Sequence, residues 1–455
     1  MAHKTWFDRE IHAELLRLSV PTIISTLAVP LLGIVDTAVL GRLPDVAHVG
    51  AAAAANTILS SIFWIFGFLR MGTTALVAQA VGQRDEPMAA RLLFQALSIG
   101  GVLGLLLLAL QGAIGWAGFL LIGASPEVTG LAKQYFSIRI YEAPVYLMSL
   151  GAMGYLRGRG DAITPMTVTI AINLINIAGD LLLVPGWWGL PSLGVRGAAW
   201  ASLAAQWAGG VALAAAVWPK VRPRFDPTWV RRWRELPWMR FLRVQRDLLI
   251  RTILLVVTLG ALTALAARLN APSELAAHAI LLQLWSLVSY GVDGFAYATE
   301  TTVGMWLGRG DAAKARASAQ AALLWGVGIA TLLAVAYVAG VDSIARFFTT
   351  NVEVQRIIRE LVVVIAVSQP INALAYIFDG ILIGATDTHY LCRAMLLSSV
   401  VFFAVVATGW FLWDLSLSLI WWSAVAFMAM RALTLGVRFR SAAWSAEYLR
   451  LHRSH

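Results

Sequence analysis

Displacing the chain along itself by 226 residues, from 82 to 308, superposes its turn-forming residues. Gly82 falls on Gly308, Asp85 on Asp311, Glu127 on Glu353, Pro144 on Pro370, Gly154 on Gly380, Gly158 on Gly384 and Asp161 on Asp387, with no gap between the first match and the last. Punctuation that persists while the apolar filler drifts is the mark of a duplicated structural unit, and it restricts the fold to two copies of one architecture. The exceptions are as informative: Asp36 falls on Leu262, Asp180 on Val406 and Asp379 on Met153.

What the repeated unit contains follows from its apolar runs. A helix needs about 20 apolar residues to cross a bilayer, and such runs lie near 15–40, 49–80, 90–121, 131–157, 162–185, 195–218, 246–269, 274–307, 316–341, 355–384, 389–413 and 417–437. With 59% hydrophobic residues, 13% charged residues and a mean hydropathy of +0.73, a soluble domain of this length is excluded. The expected fold is an all-α integral membrane protein with twelve transmembrane helices in two pseudo-symmetric six-helix bundles. An even helix count per copy makes the repeat parallel, about an axis along the membrane normal. Residues 1–219 form the expected N-lobe, 220–245 a cytoplasmic linker, and 246–455 the C-lobe with a basic tail. Trp187, Trp188, Trp218, Trp229, Trp233, Trp238, Trp421 and Trp422 cluster at run ends, where amphipathic rings favour the interface.

Most of the 35 Lys and Arg residues lie in the N-terminal segment, the tail, and the connections after even-numbered helices. The positive-inside rule then puts both termini in the cytoplasm. The net charge of +10 reflects cations that flank helices and face anionic lipid, so nucleic acid is not an expected partner. A single cysteine, Cys392, excludes an internal disulfide and a thiolate metal site. The first apolar run is of full transmembrane length and reads as a helix rather than a cleavable signal. No Walker loop, HExxH or GxSxG follows a strand-like run, so neither an enzyme nor an ATP-driven pump is expected. His278 and His389 read as packed or solvated residues.

Charged groups inside a spanning helix cost about 2.5–3.5 kcal/mol on insertion scales and are functional candidates by default. Asp36 is apolar-flanked on both sides, with Pro21 and Pro30 upstream as helix-bending positions. It either serves a site or pairs with Arg42 one turn away. Asn173, Asn176 and Asp180 follow i, i+3, i+7 and share one helix face, which lines a cavity or meets another polar face such as that of Asp36. Two neighbouring carboxyls in low dielectric suit a proton carrier. In the second half Asp293, Tyr297 and Glu300 follow i, i+4, i+7, as do Asn372, Tyr376 and Asp379. Substrate contact, cation binding and a buried structural network all remain open for them. Arg70 either holds one of these acids ionised or snorkels to an interface.

The string Val29-Pro30-Leu31-Leu32-Gly33-Ile34-Val35-Asp36-Thr37-Ala38-Val39-Leu40-Gly41-Arg42-Leu43 resembles helix one of the MATE (multidrug and toxic compound extrusion) exporters, specifically their DinF branch. Phe68-Leu69-Arg70-Met71 with Thr73-Thr74, Asn173 through Asp180, Asp293-Gly294-Phe295-Ala296-Tyr297-Ala298, and Asp379-Gly380 with Ile383-Gly384-Ala385-Thr386 extend the resemblance over nearly the whole chain. It implies two lobes around a central cleft and export of small-molecule drugs or toxic organic cations in exchange for H+ or Na+, without another cofactor, by a monomer in the bacterial inner membrane. It also implies a cation site in the N-lobe at Asp36, Asn176 and Asp180. Tyr135, Asn173 and Ser202 complete that site, Ser202 standing where the family often has Thr. Pro21 resembles the helix-one proline at which bending is proposed. The helix-seven acid of NorM-type members has no counterpart between Arg251 and Arg268.

The leading expectation is an H+-coupled antiporter. Alternatives are a Na+-coupled exporter and a flippase for lipid or lipid-linked substrates within the same superfamily. Asp293, Tyr297, Glu300, Tyr376, Asp379 and Arg70 are the expected substrate-cavity residues.

Overall fold

A computed structural model describes residues 8–43, 45, 47–186, 191–224, 226, 228, 238–441 and 443–445, and among these every regular element is helical. In chain order they are α1 (Arg9–Leu40), α2 (Ala47–Ile65), α3 (Phe68–Gly82), α4 (Glu86–Ala109), α5 (Gln111–Ile122), α6 (Pro126–Arg139), a 3-10 turn (Ile140–Glu142), α7 (Ala143–Gly158), α8 (Ile163–Leu183) and α9 (Val195–Val221). A short 3-10 turn at Arg222–Arg224 follows, then α10 (Trp238–Arg268), α11 (Pro272–Gly308), α12 (Ala312–Ala339), α13 (Val341–Phe348), α14 (Val352–Gly384), α15 (Thr388–Leu412) and α16 (Leu417–Arg440).

Eleven of the twelve expected spans are long, apolar helical stretches, with α2 and α3 together making one. The remaining run, 131–157, is divided between α6 and α7 by the 3-10 turn. Its counterpart in the second copy is continuous within α14. By packing, the chain forms two units, Ile24–Leu242 and Met1–Ile23 with Arg243–His455. The division falls inside α1, between Pro21 and Pro30, and the helix runs unbroken through both. Its early turns belong with the second unit because Gly294 of α11 packs against Ile23 and the Ser19 carbonyl.

The repeat is visible in how the helices cross. Gly154 and Gly158 bring α7 onto the Arg70 and Thr74 carbonyls of α3, while Gly380 and Gly384 bring α14 onto the Ala296 and Glu300 carbonyls of α11. These four carbonyl positions are themselves one repeat apart. A Cβ at any of the four glycines would lie 2.4–2.7 Å from the facing oxygen, which is the close approach that small residues permit between membrane helices.

One turn design recurs four times. Arg84, Gly160, Gly310 and Thr386 all have positive φ, between 57° and 79°. In each case the next residue, Asp85, Asp161, Asp311 or Asp387, donates its N–H back to a carbonyl in the last turn of the preceding helix. The first three aspartates also cap the following helix, accepting from the N–H of Met88, Thr164 and Lys314 at 2.9–3.0 Å. Gly-Arg-Gly-Asp, at 158–161 and again at 308–311, is thus a tight turn that caps the next helix. Only glycine takes positive φ freely, so Arg84 and Thr386 hold the backbone there at some strain.

Two tryptophan expectations separate. Trp218 and Trp422 are about half exposed, as an interfacial ring requires. Trp421 is buried instead, with its ring 5.4 Å from His278 and 6.3 Å from Trp285, because α16 turns it onto α11. Trp187, Trp188, Trp229 and Trp233 lie outside the described residues, as do residues 225, 227 and 229–237 of the expected linker.

Candidate functional site

The first unit gathers a polar cluster from five helices. On α8, Asn173, Asn176 and Asp180 point inward, while Leu174 and Ile175 between them are exposed, as the i, i+3, i+7 spacing requires. The Asn176 amide donates to the Ser202 hydroxyl of α9 at 2.9 Å, and the Asn173 amide donates to the Ala28 carbonyl of α1 at 2.9 Å. α8 is thus tied to the helix that carries Asp36. The carboxyl groups of Asp36 and Asp180 lie within hydrogen-bonding reach of each other. Five of the expected residues, Asp36, Asn173, Asn176, Asp180 and Ser202, are brought together by α1, α8 and α9.

Tyr135, the sixth, arrives with partners that sequence reasoning missed. Its hydroxyl donates to the Asn56 side-chain oxygen of α2 at 3.3 Å. The Arg139 guanidinium, one turn further along α6, donates to Asn56 at 2.6 Å and to the Tyr135 hydroxyl at 3.1 Å. Its other edge forms a fork on Glu142, at 2.6 and 3.3 Å. The Glu142 side chain is almost wholly buried. The charge of Arg139 reaches both Asp36 and Asp180, so the cluster holds three carboxyl groups around one guanidinium. Both missed charges stand within the apolar run 131–157, and an intramembrane Arg and Glu at i, i+3 were the available signal.

In the second unit, Asp379 of α14 accepts hydrogen bonds from Arg251 of α10 and Arg431 of α16, both on the same carboxylate oxygen. All three side chains are buried. Arg431 also stands over the Tyr376 ring, 5.5 Å from its centre, and Ser289 of α11 donates to the Tyr376 hydroxyl at 3.2 Å. Neither Arg251 nor Arg431 stands among the candidates read from sequence, yet the fold buries both on Asp379. Glu300 is buried on α11, whereas Asp293, Tyr297 and Tyr376 are only half-buried. Asn372 is buried near Ser368. Arg70, on the first turn of α3 in the first unit, is buried.

Comparison with known proteins agrees with this construction. The MatE family model matches twice, over residues 21–182 and 248–408, about one repeat length apart. The chain is 31% identical over 431 residues to DNA damage-inducible protein F of Escherichia coli K12, covering 93% of this chain and 91% of that one. It is 29% identical over 370 residues to a probable multidrug resistance protein NorM of Bradyrhizobium diazoefficiens, covering 81% and 78%. Among solved structures, a MATE protein in a straight conformation superposes with a TM-score of 0.83 over 97% of both chains at 19% identity. With both copies matched and the polar clusters carried on its helices, the chain belongs to the MATE family of multi-pass membrane transporters.

Proposed function

We propose that this transporter exports organic, often cationic, small molecules in exchange for protons, and that Asp36 and Asp180 carry the proton. The observation behind this reading is the approach of their two carboxyl groups to hydrogen-bonding reach. Two carboxylates at that separation repel, and one proton between them turns repulsion into a hydrogen bond. Asn173, Asn176 and Ser202 orient α8 around the pair, and Tyr135 closes its side.

Loading a proton outside neutralises the face shared by α1 and α8 and lets α1 repack at Pro21 and Pro30, where backbone hydrogen bonds are missing. Unloading inside restores a negative charge that favours an organic cation. The exchange proceeds by alternating access of two lobes, 1–219 and 246–455, joined by 220–245, in a monomer with both termini in the cytoplasm of a bacterial cell. Asp293, Tyr297, Glu300, Tyr376, Asp379 and Arg70 shape substrate preference rather than coupling. Relatives described as probable multidrug resistance proteins support the substrate class.

The test is proton release when a lipophilic cation such as ethidium is added to purified protein in weak buffer. Wild type is expected to release protons, and Asp36→Asn and Asp180→Asn to release few or none. Undiminished release by both variants would remove the assignment, and binding coupled to Na+ rather than pH would replace the coupling ion.

A further inference from the structure

The fourth span is broken in the first copy and continuous in the second. α6 ends at Arg139, α7 starts at Ala143, and the Arg139–Glu142 ion pair bridges the 3-10 turn between them. A 3-10 stretch inside a helix marks strain or a hinge. One repeat further on, Arg139 and Glu142 fall on Ile365 and Ser368, inside the continuous α14. The ion pair therefore belongs to the copy that carries Asp36 and Asp180, and to no scaffold common to both.

Titratable groups facing Arg139 come from three places: Tyr135 and Glu142 beside it, Asp36 on α1, and Asp180 on α8. α2 contributes Asn56 and α9 Ser202, and neither titrates. We infer that Arg139 is the positioning residue of the proton site: its guanidinium is the fixed counter-charge that sets how tightly Asp36 and Asp180 hold their proton, and Glu142 sets how much of that charge reaches them. The inference deepens the proton-coupled reading and rests on it.

Opposite charges favour ionisation of a carboxyl and like charges oppose it. Removing the Arg139 charge therefore leaves the proton bound to higher pH. Removing the Glu142 charge leaves the guanidinium unopposed, and the proton departs at lower pH. A staple that only braces the 3-10 turn behaves differently, because either neutral variant breaks the same bond and both act alike.

The experiment follows the protonated-carboxyl infrared band of the purified full-length protein as a function of pH. Arg139→Gln is expected to raise the midpoint by about one pH unit or more, and Glu142→Gln to lower it by a similar amount. The double variant returns toward wild type. Arg139→Lys and Glu142→Asp keep the charges and are expected to keep the wild-type midpoint, which serves where the glutamine variants do not fold; a midpoint displaced by about one unit in them overturns the inference. Shifts of the same sign, or no shift, in the two glutamine variants overturn it as well. A wild-type band unaffected by Asp36→Asn and Asp180→Asn refutes the proton reading and this inference together, whereas like-signed shifts of a band that those variants abolish refute this inference alone.

Discussion

Arg251 and Asp379 meet as an ion pair buried within the second unit, and Arg431 joins them on the same carboxylate oxygen. Replacing Asp379 by Ala leaves two buried guanidinium groups facing one another. Breaking a buried pair costs about 3–5 kcal/mol, so Asp379→Ala is expected to lower the thermal unfolding midpoint in detergent sharply. Arg251→Met in the same chain should recover much of that loss. If Asp379→Ala unfolds at the wild-type temperature, the triad holds nothing together.

The glycine crossings give a packing prediction with an internal control. Leu at Gly158 or Gly384 drives a side chain into the Thr74 or Glu300 carbonyl, each 2.7 Å from an added Cβ, whereas Gly112 and Gly328 have nothing within 4 Å. Overpacking costs about 1–3 kcal/mol or more. The yield of monodisperse protein should fall for Gly158→Leu and Gly384→Leu but hold for Gly112→Ala and Gly328→Ala. Equal yields across all four would mean that the repeated crossings do not fix the fold.

Ser202 offers a finer probe of the α8–α9 contact. Its hydroxyl accepts from Asn176 at 2.9 Å, and Ser202→Ala removes that acceptor from a buried amide at a cost of about 1–3 kcal/mol. Ser202→Thr keeps the acceptor. Efflux driven by a pH gradient should be reduced several-fold in the first variant and retained in the second, and the reverse order would show that the hydroxyl is not what matters.

At the connection between α7 and α8, Asp161 accepts from the Lys220 ammonium at 2.7 Å and from Thr164. Burial pushes its carboxyl up, but these hydrogen bonds outweigh burial and hold it below the ordinary value of 3.8. A carboxyl depressed by folding contributes stability that is complete above the unfolded value and is lost as pH falls through the folded one. The drop in thermal stability between pH 5 and pH 3 should therefore be smaller in Asp161→Asn than in wild type. Identical drops would show that the bridge is too solvated to contribute.

Sequence carried the helix count, the duplication and the polar face of α8, because all three rest on periodicity along one chain. It also carried Asp36, whose cost inside an apolar run is independent of its neighbours. What it missed depends on partners distant in sequence. Arg251 and Arg431 lie inside α10 (Trp238–Arg268) and α16 (Leu417–Arg440), and only the approach of α14 brings Asp379 to both. Arg139 and Glu142 lay within a run whose length resembled one helix, and the 3-10 turn separating its halves has no strong residue signature. Trp421 was misplaced for a related reason: hydropathy locates a ring along the membrane normal but does not say which way its helix is turned.

We propose Asp36 and Asp180 as the groups that exchange protons for an exported cation. The most direct measurement is dye efflux from proteoliposomes under an imposed pH gradient or an imposed Na+ gradient, applied separately to wild type and Asp36→Asn. The pH gradient is expected to drive efflux by wild type, the Na+ gradient alone to drive none, and Asp36→Asn to respond to neither. Undiminished pH-driven efflux by Asp36→Asn, or wild-type efflux driven by Na+ alone, would contradict this exchange.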